Sequence, residues 1–164
     1  MKKKLILISV DAMMTSDLIE FQKYPNISQL MKEGTVVNEI TTVYPTCTYP
    51  IHATVVSGKY PIDTGVESNF RFTTEKPGKN GYDWFFYRDD NKQDTIIDAA
   101  SRQGYRTGTC IWPVMGGSKA DYMIPEIMPV YDNLSLRDTF LQASNEKNVS
   151  LFSDKYSSVA KNDD

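Results

Sequence analysis

At 164 residues, with 40% hydrophobic and 24% charged side chains, the chain is long enough to bury a core and shows no bias toward disorder, collagen or a disulfide scaffold. A formal charge of −3 leaves no basic footprint, which argues against a nucleic-acid duplex as partner. Cys47 and Cys110 are the only cysteines, too few for a disulfide framework and wrongly spaced for a zinc ribbon or a redox pair, so they read as buried free thiols.

In chain order, Lys2, Lys3 and Lys4 followed by an apolar run imitate the start of a signal peptide. The run covers only residues 5–10 and stops at Asp11, so it reads as a strand buried on both faces, and the protein as cytoplasmic. A short helix fits residues 15–22. Pro25 and Asn26 open another, with Ile27, Leu30 and Met31 as its apolar stripe and Gly34 as its stop. Residues 35–44, rich in Val, Ile and Thr, form the next expected strand. Strand, helix and strand joined by short connections make a right-handed βαβ unit, which places Asp11 and residues 45–50 on one edge of a parallel sheet. Pro50 suits the first turn of a helix running through Ala53, Val55 and Val56 to Gly58, so Thr48 falls at or just before that helix's N-terminus.

Residues 67–92 are an aromatic-rich excursion carrying Phe70, Phe72, Tyr82, Trp84, Phe85, Phe86 and Tyr87, expected as a hairpin with a small satellite core. A T-x-x-D cap at Thr95 and Asp98 opens a helix over 95–103, stopped by Gly104, and a strand follows over 105–112. Residues 113–129 read as an irregular loop, 135–146 as a helix with Leu136, Phe140 and Leu141 inward, and the tail after Ser153 as polar. No stretch approaches the roughly 20 apolar residues that cross a bilayer. Residues 1–164 read as one domain, with 67–92 an excursion within it.

The segment Tyr44-Pro45-Thr46-Cys47-Thr48-Tyr49-Pro50-Ile51-His52-Ala53-Thr54-Val55-Val56-Ser57-Gly58-Lys59-Tyr60-Pro61, followed by Gly65, Val66 and Asn69, resembles the nucleophile region of the nucleotide pyrophosphatase/phosphodiesterase branch of the alkaline phosphatase superfamily. The strand ending in Asp11 and the Trp112-Pro113 pair within 108–113 resemble it too, so the likeness spans about residues 3–131. It implies an α/β fold of alkaline phosphatase type, a mostly parallel sheet flanked by helices, present here as the incomplete N-terminal portion of a catalytic domain. It also implies hydrolysis of phosphodiester or pyrophosphate bonds in a small phosphoester or nucleotide. Thr48 would be the nucleophile and, with Asp11, a metal ligand. Asn69, 21 residues after Thr48, would hold a phosphate oxygen together with the Tyr49 N–H, and the Tyr49 ring would lie beside the substrate.

The chemistry explains the residue types. A threonine hydroxyl is protonated at neutral pH and attacks only when a base or a cation stabilises the alkoxide. Two divalent ions of the zinc class, about 4 Å apart, can hold the attacking and leaving oxygens of an in-line displacement. A helix N-terminus and a neutral amide can hold the phosphoryl oxygens between them.

Two departures from the family pattern stand out. Ile51 replaces the asparagine usual after the aromatic-Pro pair, which loosens the preference for nucleotide diesters. The chain has one histidine, too few for the family's two metal sites, so the expectation is an incomplete site and an isolated chain that is inactive or nearly so. His52 falls at a position that does not bind metal in the family and reads as a hydrogen-bonded packing residue. The alternatives are a phosphonate or phosphomonoester hydrolase or a phosphomutase of the same superfamily, or a non-catalytic anion-binding module. Self-association through an open strand edge is a further expectation.

Overall fold

The structure, a computed structural model, describes residues 3–72, 83–128 and 135–156, with the side chains of 153–156 excepted. The chain divides into two compact units, Met1–Thr42 and Val43–Asp164. Tyr82 and the tail from residue 157 onward lie outside the described residues.

The first unit holds helices α1, Asp17–Phe21, and α2, Pro25–Glu33. Tyr24 is extended, as the residue before a proline must be, and Pro25 sits in the first turn of α2, where the N–H it lacks would be unused. Gln29 bonds Glu33 one turn on at 2.9 Å, and Gly34 follows the last helical residue. Both ends agree with the sequence. The flanking strands do not: residues 5–10 and 35–42 carry no β-ladder, and the expected βαβ unit is absent from this structure. The physical reason is that an apolar run becomes a strand only when neighbours take its backbone bonds and cover its side chains. Here Leu5, Ile6, Ile8 and Ile40 are 73%, 82%, 78% and 83% exposed. A bond from the Thr15 hydroxyl to the Asn38 carbonyl at 3.3 Å ties the surroundings of the two runs.

The second unit begins with α3, Thr48–Ser57, and α4, Pro61–Thr64. Gly58 ends α3 in the left-handed conformation (φ 66°), its N–H bonding the Thr54 carbonyl at 2.7 Å, a geometry that glycine adopts without a Cβ penalty. Strands β1, Phe70–Arg71, and β2, Asp83–Trp84, pair antiparallel, so the expected hairpin forms. Its aromatics do not build a satellite cluster. Phe86 joins Tyr49, Ala53, Val66, Val114, Ile127, Phe140, Ala143 and Val149 in one core, with Trp84 and Phe85 packed against it.

Helix α5, Ile96–Arg102, starts at the expected capping box between Thr95 and Asp98. Strand β3, Gly108–Trp112, pairs parallel with β4, Tyr122–Pro125. The sequence pointed to an irregular loop over β4, a correction that follows from its brevity and its terminal proline: four residues gain strand character only beside β3. The expected helix over 135–146 is two helices, α6, Leu136–Leu141, and α7, Glu146–Tyr156. The break has a cause. Gly117 N–H takes the Ala143 carbonyl at 2.7 Å, the Ser144 hydroxyl bonds the Met123 carbonyl at 3.1 Å, and Asn145 accepts the Asn148 N–H at 3.0 Å and so starts a new helix. Phe140 is buried as expected, whereas Leu136 is 62% exposed. Among the described residues no helix is long and apolar enough to cross a membrane.

Candidate active site

The site is built on the first turn of α3. Cys47 precedes it in extended conformation without a side-chain cap, and no acidic residue occupies the turn. Its backbone N–H groups therefore need partners from elsewhere. Pro50 lacks one, Ile51 bonds the Cys47 carbonyl at 3.2 Å, and Tyr49 donates to the Asn69 side-chain oxygen at 3.0 Å. Two of the positions singled out by the sequence are thus in direct contact. Because a backbone N–H only donates, the atom of Asn69 facing it is the carbonyl oxygen, so the amide NH2 takes no part in this bond.

Residue 69 reaches this position through a tightly tied turn. Thr64 is fully buried, its hydroxyl bonding the Pro61 carbonyl at 3.1 Å and accepting the Val66 N–H at 3.2 Å, while Gly65 reverses the chain at φ 78°. Val66 plugs into the core, and the Asn69 carbonyl then accepts the Phe85 N–H at 3.2 Å across the hairpin. Next to it, Arg71 lies over the Phe85 ring at 4.7 Å, bridges to Asp83 at 3.0 Å and pairs with Asp90.

Thr48 is the first residue of α3 and is half-buried. The Tyr49 ring, expected beside a substrate, is instead 1% exposed, with Trp84 and Phe86 ring centroids at 5.3 and 6.4 Å. A ring so enclosed offers no face for stacking, so the side chain of residue 49 belongs to the core, while its backbone N–H meets Asn69. Burial, and then the Glu126 carboxylate beside it, push the Tyr49 phenol's pKa well up, although no hydrogen bond of ordinary geometry reaches its oxygen among the described residues. Nothing in the sequence marked Glu126, which follows the unexpected strand β4.

His52 is buried, as expected of a packing residue, and its Nδ1 lies 2.7 Å from the Thr48 carbonyl one turn back. Its ring meets the edge of Trp112 at 5.0 Å and 76°. The helical i,i+4 spacing of residues 48 and 52 is the signal that made this bond foreseeable. Trp112 reaches the helix through a bulge: the β3–β4 register skips Ile111, and the added residue shifts the alternation, so that Cys110 is exposed while Trp112 turns inward. Ile111 and Val114, both β-branched, hold the left-handed backbone at φ 49° and 59°, a strain of about 1–3 kcal/mol each that the burial of Val114 and Met115 offsets. Neither cysteine is buried, contrary to expectation: Cys47 is half-exposed at the edge of α3 and Cys110 lies at the surface.

Asp11 belongs to the first unit, on an exposed turn where its Oδ1 accepts the Ala12 N–H at 3.0 Å, with Ala12 at φ 57°. No group of three or more His, Cys, Asp or Glu that could hold a metal ion occurs among the described residues.

The profile of the type I phosphodiesterase / nucleotide pyrophosphatase family matches residues 5–161. Human ectonucleotide pyrophosphatase/phosphodiesterase family member 1 is 31% identical over 118 residues, which cover 66% of this chain and 12% of that protein. Xenopus laevis bis(5'-adenosyl)-triphosphatase enpp4 is 30% identical over 116 residues, or 67% of this chain and 24% of that protein, and rat family member 7 is 30% identical over 117 residues. The matched stretch therefore spans only about an eighth to a quarter of these relatives. With the family profile matching almost the whole of the sequence, residues 5–161, this chain belongs to the type I phosphodiesterase / nucleotide pyrophosphatase family.

Proposed function

We propose that the chain supplies the attacking group and the phosphate cradle of a phosphodiester or pyrophosphate hydrolase. The Thr48 hydroxyl attacks phosphorus and the leaving alcohol or phosphate departs in line, giving a phosphothreonine that water then hydrolyses. The Asn69 NH2 holds a phosphoryl oxygen as charge builds on it, helped by the positive end of the α3 dipole, whereas the Tyr49 N–H, expected to share that role, is taken by Asn69 Oδ1. The single observation that carries this reading is the 3.0 Å bond from Tyr49 N–H to Asn69 Oδ1, which fastens Asn69 to the residue after Thr48 and leaves its NH2 out of that bond. Relatives named as nucleotide pyrophosphatases and as a bis(5'-adenosyl)-triphosphatase make a nucleotide pyrophosphate the substrate class of choice. Ile51, in place of the family's usual asparagine, widens that choice toward other phosphoesters.

The two-ion centre implied by the family, with Asp11 and Thr48 as ligands and zinc as the ion, does not fit the described residues taken alone, because no group of three or more His, Cys, Asp or Glu that could hold an ion occurs among them. The chain is expected to turn over a chromogenic phosphodiester only slowly. Thr48→Ala lowers that rate by about 10³-fold or more, and mass spectrometry finds the trapped phosphate on Thr48. Equal rates for wild type and Thr48→Ala would overturn the reading.

The same lack of a ligand cluster favours a second reading, a non-catalytic module that keeps the anion cradle without the chemistry.

A further inference from the structure

The Thr48 carbonyl and the Tyr49 N–H are the two polar ends of one peptide unit, and each is held by a side chain. The carbonyl lies 2.7 Å from His52 Nδ1, and the N–H donates to Asn69 Oδ1 at 3.0 Å. We propose that His52 and Asn69 clamp this peptide plane between them, and that His52 is thereby a positioning residue for the Thr48 hydroxyl. The inference deepens the reading of Thr48 as nucleophile and rests on it.

The argument is geometric. A peptide is planar, so fixing both its polar ends leaves it unable to rock about the chain axis. The orientation of that plane sets ψ of Thr48, and with it the direction in which the first turn presents the neighbouring Cα–Cβ bond. A helix N-terminus needs such help, because its first N–H groups lack intrahelical partners. Cys47 gives none from its side chain, and Pro50 removes one N–H from the turn. The imidazole is itself immobilised: it is 7% exposed and packed edge-on against Trp112, which the β3 bulge turns toward it. A displaced nucleophile is costly, since a misplacement of about 1 Å can lower a rate by about 10²-fold.

The clamp makes a chemical demand. A carbonyl oxygen only accepts, so Nδ1 must carry the proton that it donates. The neutral ring is then the Nδ1–H tautomer. His52 is the only histidine in the chain, so its imidazole gives one set of signals after selective ¹⁵N-histidine labelling.

Three measurements on this chain test the clamp. Long-range ¹H–¹⁵N spectra of the wild type are expected to show a protonated Nδ1; a neutral Nε2–H tautomer overturns the proposal without any mutation. In amide hydrogen exchange, His52→Leu, which keeps bulk but deletes the donor, should speed exchange at the Tyr49 amide about five- to tenfold. The amides of Val55 and Val56 should stay as they were, and His52→Asn, which restores a donor near the δ position, should recover most of the protection. Uniform acceleration along α3 would mean that His52 only packs, and would also overturn it. In the chromogenic phosphodiester assay, His52→Leu lowers kcat about tenfold with KM held and His52→Asn regains it, whereas an unchanged kcat overturns the positioning role. Failure of the nucleophile reading is distinguishable, because it shows as wild-type turnover in Thr48→Ala while the tautomer and the exchange pattern remain as expected.

Discussion

Tyr49 sits between two demands, a motif position that faces chemistry and a side chain that faces the core. The backbone N–H meets Asn69 and the ring meets Trp84 and Phe86, so substitutions separate the two roles. Truncation to alanine removes a ring that is almost fully enclosed, and Tyr49→Ala should cost about 3–5 kcal/mol of unfolding free energy. Tyr49→Phe is different. It deletes a buried hydroxyl that makes no hydrogen bond of ordinary geometry and lies beside the Glu126 carboxylate, so the variant should be at least as stable as the wild type. Urea denaturation of the two variants reads both effects; a loss in Tyr49→Phe approaching that in Tyr49→Ala would mean that the phenol is bound after all. The spacing of residues 48 and 69 pointed to their shared site because spacing along the chain survives folding. The burial of the Tyr49 ring was not legible, since it depends on a hairpin 35 residues further on, where Trp84 stands.

At the scale of the element, α5 shows how much a short sequence signal can carry. Thr95 and Asp98 cap each other's backbone, and Arg88 adds Nε and NH2 bonds to the same carboxylate oxygen at 3.1 and 2.6 Å. Partial burial pushes the Asp98 pKa up, but the Thr95 and Arg88 hydrogen bonds outweigh it, and the net shift is downward. A carboxyl whose folded pKa lies below its unfolded value of about 3.9 adds stability above that pH, and the contribution is lost as pH falls through the folded value. Asp98→Asn should therefore be less stable than wild type at pH 7 by about 3 kcal/mol, because it leaves a largely buried Arg88 without its counter-charge. The gap should shrink below about pH 4. Denaturant titrations at pH 7 and pH 3 check this, and a gap that persists undiminished in acid would rule out the carboxylate as its source. The T-x-x-D pattern made this cap readable in advance, as proline and glycine did for both ends of α2. Strand β4 has no local signal, because it exists through pairing with β3, and the break between α6 and α7 combines a local cap at Asn145 with an Ala143 carbonyl taken by the distant Gly117 N–H.

For the molecule as a whole, Thr48, Tyr49 and Asn69, the pieces of the proposed phosphate cradle, lie within the second unit, whereas no metal-holding group of three or more ligands exists among the described residues. Binding of an anion by backbone and amide donors requires no metal. Inorganic phosphate at about ten times its Kd should add about 1.4 kcal/mol, and so raise Tm by roughly 3–5 °C in a chain of this size. That shift should survive a chelator and disappear in Asn69→Ala. Loss of the shift on chelation would show that phosphate is held through a bound ion and would count against a metal-independent cradle.

The sequence by itself determined the family and the ends of α2, α3 and α5, because motif spacing and capping chemistry are properties of neighbours along the chain. Tertiary structure alone decided that Tyr49 belongs to the core, that a bulge turns Trp112 onto His52, and that the Thr48–Tyr49 peptide is held at both ends. It also left residues 5–10 without a sheet. Burial, strand pairing and side-chain contact are made by residues distant in sequence, so no local pattern encodes them.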